Sequence, residues 1–331
     1  MSGKVAFCVV TWNSAAVLGE CIDALQAQTG VPTVIYMLDN ASKDSTRELM
    51  TNYPNVRTTW SRVNTGFARG NNLLIAQALK DPDVQYVALI NSDAVLAPDW
   101  ASQLVGFAEQ RGNVGSLQGL TLDYFDHSRV DSRHIFVNGR LQGQQYGYGD
   151  HTLPLDDYRP RKVFGVNAAA CMYTRAMIEA LPDQQNGFFD ERFFMYYEDV
   201  DVSFRALITG WDAWSVPTAI AYHMGSVSAK MRASSYSPRM VARNMSAVIY
   251  KNAPARVVLA SFSPAIHGVI VFLRGVHRDL GVRAALQTAV SLARGISRMP
   301  IYCESRRLIQ AARVMDCSYI LRIMNSDGIL G

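Results

Sequence analysis

The chain has little cysteine, and none of it looks paired. The five residues, Cys8, Cys21, Cys171, Cys303 and Cys317, are odd in number and scattered, with no C-x-x-C spacing. That excludes a disulfide-built scaffold and a thiolate zinc site, and it fits a reducing compartment. No charged stretch, apolar h-region and small-residue cleavage site open the sequence. Met1–Lys4 leads directly into a strand-like run, so a cytoplasmic protein is expected. An uninterrupted run of about 20 apolar residues, the length that spans a bilayer, is also missing. The most apolar stretch, Val257–Leu273, is broken by Pro264 and His267. There is no internal repeat and no low-complexity tract, which sets aside solenoids and disordered tails. At 331 residues the chain is long enough for one large α/β domain with an appendage.

Acidic residues are scarce in one region only. Residues 1–229 hold 17 Lys+Arg against 24 Asp+Glu, whereas residues 230–331 hold 15 against 4, an asymmetry hidden in a net charge of +4. The expected division is therefore a domain over 1–229 and a basic, amphipathic helical region over 230–331. Lys251 and Arg256 bound Val257–Leu273 on one side, and Arg274, His277, Arg278 and Arg283 bound it on the other. Apolar surface framed by cations suits a segment lying on an anionic membrane surface, here the inner face of the cytoplasmic membrane. Helical packing or a homodimer face is the competing expectation. Nucleic acid is not expected as a partner, because no aromatic-interleaved or zinc-finger pattern accompanies the charge.

Apolar β-branched runs at Val5–Thr11, Thr33–Leu38, Asn55–Trp60 and Gln85–Ile90 alternate with helical patterns, one from Ser14 to about Gln28 and others beginning near Asp44 and after Asn72. Ser14 is expected to cap the first helix. Strand and helix alternating over about 90 residues predict an α/β fold with a mainly parallel sheet covered on both faces. Ligands bind such sheets beyond the carboxyl ends of the strands, and polar clusters stand there: Thr11-Trp12-Asn13, Asp39, Asn64 and Asn91-Ser92-Asp93. Thr121 to about Arg161 is irregular and reads as an excursion shaping a substrate pocket. Phe164–Thr174 reads as a buried strand, followed by strands at Trp211–Val216 and Ala219–His223.

Gly187–Arg205 places five carboxylates, Asp190, Glu191, Glu198, Asp199 and Asp201, among aromatics. A carboxylate shielded from water is costly unless it meets a cation, a proton or a donor, so this stretch reads as a site. The bland alternative is a helix start, with acidic residues at the positive end of the dipole and Asp201 paired to Arg205.

Taken in order, Thr11-Trp12-Asn13, Asp39-Asn40-Ala41-Ser42-x-Asp44, Asn64-x-Gly66-Phe67-x-x-Gly70-x-Asn72, Asn91-Ser92-Asp93, Phe189-Asp190-Glu191 and Glu198-Asp199-Val200-Asp201 resemble the inverting glycosyltransferases of family 2. The match covers roughly residues 4–225 and is nearest to the bacterial rhamnosyltransferase branch. The resemblance implies a GT-A nucleotide-sugar-binding fold and transfer of L-rhamnose from dTDP-β-L-rhamnose to a lipid-linked glycan in cell-surface polysaccharide assembly. A UDP-sugar donor (galactofuranose, GlcNAc or another hexose) on the same scaffold and a non-catalytic nucleotide- or glycan-binding protein are the alternatives.

The resemblance also distributes roles. Thr11, Asn13, Asp39 and Asp44 would hold the nucleotide, and Asn64, Gly66, Arg69 and Asn72 would close a loop over nucleotide and donor. Turn and cap chemistry is the competing role for all of these. Asn91-Ser92-Asp93 stands in the place of the family's metal-binding Asp-x-Asp, with an amide replacing the first carboxylate. Asp93 and His223 would bind Mg²⁺ or Mn²⁺ together with diphosphate oxygens. Asp199 would be the general base and Glu198 would orient it or the acceptor. Trp12, Asp190, Glu191 and Tyr197 would contact the sugar or the acceptor. Phe189, Phe194 and Tyr196 are further stacking candidates, with core packing as their alternative.

Overall fold

The computed structural model describes residues 3–152, 159–225 and 236–330. The chain opens with strand β1 (Lys4–Thr11), helix α1 (Ala15–Gln26), β2 (Thr33–Asp39), α2 (Thr46–Leu49), β3 (Arg57–Trp60), α3 (Gly66–Ala78) and β4 (Val84–Ile90). These strands lie in the order β3-β2-β1-β4, all parallel. Val5 to Val9 are fully buried in succession, because helices cover both faces of the sheet. On one face Leu18, Ile22 and Leu25 of α1 pack with Phe7 and Val9, and on the other Leu74 and Ile75 of α3 pack with Cys8 and Leu89.

Beyond β4 come β5 (Ala94–Leu96), α4 (Trp100–Glu109), β6 (Val114–Asp123), β7 (Val130–Ser132), the hairpin β8 (His134–Val137) and β9 (Gly143–Tyr146), β10 (Arg161–Val163), β11 (Ala170–Thr174), α5 (Arg175–Ala180), α6 (Glu198–Ile208) and β12 (Asp212–His223). Strand β11 inserts antiparallel between β4 and β6, and β6 runs parallel to β12. The result is a curled mixed sheet whose first half is parallel throughout.

Four local expectations change. Helix α3 begins at Gly66 rather than after Asn72, so Gly66, Arg69 and Asn72 belong to a helix and not to a loop. Ser14 occupies the N-cap position of α1, but its hydroxyl donates to the Trp12 carbonyl and accepts from Ser92, while Asp44 takes the first helical amide, that of Ala15. Only Ala170–Thr174 of Phe164–Thr174 is strand, because the Asn167 amide donates to Gln118 Oε1 at 2.6 Å and turns the chain away from the ladder. The two segments Trp211–Val216 and Ala219–His223 form one strand, whose register slips between Ser215 and Ile220 where Pro217 has no N–H to offer.

The chain continues as α7 (Tyr236–Asn252), α8 (Ala255–Ala260), α9 (Phe262–Ser297), α10 (Cys303–Ala311), α11 (Cys317–Met324) and β13 (Ile329–Leu330). The predicted boundary at 229/230 lies outside the described residues. Phe193, Phe204 and Ile208 share one apolar cluster with Val248, Ile309, Ile320 and Ile323, and β13 pairs with β10 at the sheet edge. Helix α9 bends at Gly281, which has φ of +83°. Among the described residues no helix is long and apolar enough to cross a membrane.

Candidate active site

A cavity of about 880 Å³ opens at the carboxyl ends of the parallel strands. One wall is built from strand ends and helix starts: Thr11 and Trp12 after β1, Asn40 after β2, Asn64 and Gly66 at the start of α3, Asn91 and Asp93 after β4, and His223 ending β12. The lining is completed by Asn167–Ala169, the turn Phe194–Tyr197 with Glu198 and Asp199, residues Gly143–Gln145 of the hairpin, and Tyr236, Ser237 and Val241 of α7. The irregular region after β6 thus contributes to the pocket through its hairpin. Thr11 Oγ1 is buried on this wall without a hydrogen-bond partner among the described residues, a group suited to a bound ligand.

At one end His223 joins two carboxylates. Its Nε2 lies 3.3 Å from Asp93 Oδ1 and its Nδ1 lies 3.1 Å from Asp131 Oδ2. Burial opposes the imidazolium, but these hydrogen bonds and charges outweigh it and push the His223 pKa up to about 10. The Asn91 amide nitrogen sits 3.3 Å from the same Nε2. Among the described residues no group of three or more His, Cys, Asp or Glu is arranged to hold a metal. A cation between Asp93 and His223 would therefore draw the rest of its shell from a bound molecule. The donor set fits such a cation, because Asp131 can hold Nδ1–H and leave Nε2 free to coordinate.

Two adjacent carboxyl groups that open α6 also line the cavity. Asp199 accepts from the Val200 amide at 2.8 Å and from the Ala168 amide, yet burial raises its pKa to about 6. Glu198 is raised much further, by burial and then by the charge of Asp199, and its Oε2 has no partner among the described residues. Of the two, Asp199 is the more readily ionised, because it keeps the backbone hydrogen bonds that favour its charged form.

The turn before them is strained. Phe194 (φ 68°, ψ −60°), Tyr196 (φ 66°) and Tyr197 (φ 73°) all take positive φ without being glycine, a cost of about 1–3 kcal/mol each. The Phe194 carbonyl accepts from the amides of Phe67 and Ala68, so the turn leans on the start of α3. Gly66 permits that contact, since a Cβ there would lie 2.5 Å from the Phe194 ring.

Other expected site residues lie behind the cavity wall. Asp39 is buried and accepts from the Ser42 amide; Asn13 accepts from the Lys43 amide; Asp44 accepts from Ala15 and Thr46. Asn72 exchanges two hydrogen bonds with the Phe189 backbone, and Glu191 faces Asn72 and Arg69. Tyr197 lines the cavity, and its hydroxyl accepts from the Gly143 amide. Asp190 does not reach the cavity. It forms a buried ionic cluster with Lys251 (2.7 Å) and Arg192 (2.6 Å), and the same Lys251 meets Asp201 (3.1 Å) and Asp183 (3.4 Å). Asp201 does pair with Arg205, at 2.9 Å, but in full burial rather than as a surface pair.

Sequence reasoning missed Asn40, whose side chain joins Thr65 to the Gly66 carbonyl, and Asp131, which orients His223. Asn40 directly follows Asp39 at the end of an apolar run and could have been found there. Asp131 sits on a three-residue strand that leaves no periodic signal.

A nucleotide-sized cavity at the strand ends, lined by a carboxylate–imidazole pair and by two adjacent buried carboxyl groups, suits group transfer from an activated sugar. Residues 6–181 match the description of glycosyl transferase family 2, and the chain belongs to that family of glycosyltransferases. A Mycobacterium tuberculosis protein, N-acetylglucosaminyl-diphospho-decaprenol L-rhamnosyltransferase, is 26% identical over 239 residues, covering 67% of this chain and 76% of that protein. Among solved structures, S. aureus TarS 1-349 superposes with a TM-score of 0.57 at 14% identity, over 98% of this chain and 90% of that one. The Pyrobaculum calidifontis mannosyltransferase PcManGT, solved with GDP-Man and Mn²⁺, gives 0.53 at 15% identity, over 94% and 86%. These structures share the GT-A fold.

Proposed function

We propose that this protein is an inverting rhamnosyltransferase that takes L-rhamnose from dTDP-β-L-rhamnose and places it on a hydroxyl of a polyprenyl-diphosphate-linked glycan. The observation that carries the chemistry is that Asp199, Asp93 and His223 all line one cavity. Asp199 would accept the acceptor's hydroxyl proton as that oxygen attacks the anomeric carbon. The bond from that carbon to the phosphate oxygen breaks on the opposite face, dTDP departs, and the configuration inverts. Asp93 and His223 would hold Mg²⁺ or Mn²⁺, which would offset charge developing on the diphosphate. Protonated Glu198 would hold charge away from Asp199 and could donate to a sugar or acceptor oxygen. Thr11, Asn40 and Asn64 line the side where the nucleotide would lie.

The M. tuberculosis relative, named for a decaprenol-linked acceptor, supports the rhamnose and polyprenyl assignments. Attachment to an anionic membrane surface is part of the same proposal. Phe262, Ile266 and Ile270 on one limb of α9, and Val282, Leu286 and Val290 on the other, are exposed at near-helical repeats, with Arg274, Arg278, Arg283 and Arg294 exposed among them.

A donor screen by calorimetry in Mg²⁺ or Mn²⁺ tests the reading. Selective binding of dTDP-rhamnose over UDP- and GDP-sugars supports it. Preference for a UDP-sugar overturns the rhamnose assignment and keeps the enzyme class.

A further inference from the structure

We propose that Asn244, in the middle of α7, is a positioning residue for sugar transfer: it holds the strained turn Phe193–Tyr197 in the shape that delivers Asp199 to the cavity. The inference rests on Asp199 being the base.

Asparagine is a poor residue for a helix interior, and Asn244 is almost fully buried, so its side chain serves something other than helix formation. Its amide nitrogen lies 3.1, 2.9 and 2.7 Å from the carbonyl oxygens of Phe193, Met195 and Tyr196, two protons shared among three acceptors. Its oxygen accepts from Arg243 Nε at 2.9 Å, and the Arg243 guanidinium donates again to the Phe193 carbonyl at 2.8 Å. These three carbonyls converge on one side chain in a segment where Phe194, Tyr196 and Tyr197 all have positive φ, whereas in an extended chain successive carbonyls alternate in direction. A backbone held in sparsely populated conformations persists only when its surroundings over-determine it, and Asn244 reaches three of the turn's five carbonyls.

The consequence reaches both halves of the cavity. Two residues after the turn stands Asp199, and the Tyr197 carbonyl accepts the first helical amide bond of α6, from Asp201 four residues on. The Phe194 carbonyl, which Asn244 does not reach, accepts from Phe67 and Ala68 at the start of α3. Seven residues along the same face of α7, Lys251 grips Asp190 and Asp201, which flank the turn before and after. Helix α7 therefore clamps the turn at its centre and at both margins, although it lies beyond the 6–181 segment that matches the family.

The test compares Asn244→Ala and Asn244→Ser with Asn252→Ala, measuring dTDP release from dTDP-rhamnose with N-acetylglucosaminyl-diphospho-decaprenol as acceptor. Asn252 is equally buried on α7 but bonds Asp201 and the Val248 carbonyl rather than the turn, so it reports the cost of losing a buried amide alone. The expected result is a fall in kcat of roughly 10-fold to 100-fold for Asn244→Ala with donor KM within about threefold, Asn244→Ser lying between, and Asn252→Ala losing thermal stability with kcat within about twofold. Folded Asn244→Ala with full kcat, or a loss matched by Asn252→Ala, overturns the inference. If Asn244→Ala does not fold, Asn244→Ser and Arg243→Met decide by the same criteria. Asp199→Asn is run alongside: if it retains turnover, the base assignment fails whatever the Asn244 variants do.

Discussion

Replacing Asp199 with Asn should make the protein both inactive and more stable, and the size of each effect follows from burial. The folded pKa of Asp199 is about 6 against an ordinary value of 3.8. Between those two values the folded chain binds more protons than the unfolded chain, so stability falls as pH rises through that window and stays low above it. A difference of roughly two pKa units corresponds to about 3 kcal/mol lost by pH 7. Asn is neutral and nearly isosteric and escapes that loss. It can accept from only one of the Val200 and Ala168 amides, however, and turning its NH₂ toward the other returns about 1–2 kcal/mol. The net gain of about 1–2 kcal/mol should raise Tm at pH 7.5 by about 2–6 °C, with no gain near pH 4 where wild-type Asp199 is protonated. Turnover should fall by about 10²–10⁴-fold as the base is lost. For wild type, kcat should rise about tenfold from pH 5 to 6.5 and then level, where an unperturbed carboxylate would give a flat profile over that range. Calorimetric scans at pH 4 and 7.5, with kcat measured across pH 5–8, decide the matter. A variant less stable than wild type at pH 7.5, or a wild-type profile flat to pH 5, would refute the reasoning.

For His223→Ala, the concentration of Mn²⁺ giving half-maximal activity should rise about tenfold or more, since one of the two proposed protein ligands is gone; superimposable metal titrations would return His223 to a structural role. Lys251→Met leaves Asp183, Asp190 and Asp201 with one fewer buried cation, and urea unfolding should show a loss of about 3–5 kcal/mol. A loss under about 1 kcal/mol would mean the cluster is not what ties α7 to the site. Gly66→Ala puts a Cβ against Phe194 at φ of +80°, and donor KM should rise about tenfold while the fold survives by circular dichroism; unchanged KM would remove this loop from donor binding.

Much of the site was legible because its parts sit at strand ends. A polar residue closing an apolar β-branched run must lie at the carboxyl edge of a parallel sheet, so Thr11, Asn64, Asn91 and Asp93 could be placed on one cavity wall from periodicity and order alone. Asp190 could not be placed that way. Arg192, two residues on, pairs with it at 2.6 Å, but what takes it into a buried cluster is Lys251, 61 residues on.

The sequence by itself determined the alternation of strand and helix, the polar strand ends, the run of carboxylates before α6 and the basic character of the last hundred residues, because each is written in local spacing and composition. The tertiary structure alone decided which carboxylates face the cavity and which are neutralised behind it, that Asp131 orients His223, and that Asn244 holds the turn leading to Asp199. Those outcomes depend on burial and on partners far away in the chain. Whether a carboxylate is a base, an acid or half of an ion pair is set by what surrounds it, and its surroundings are assembled only by folding.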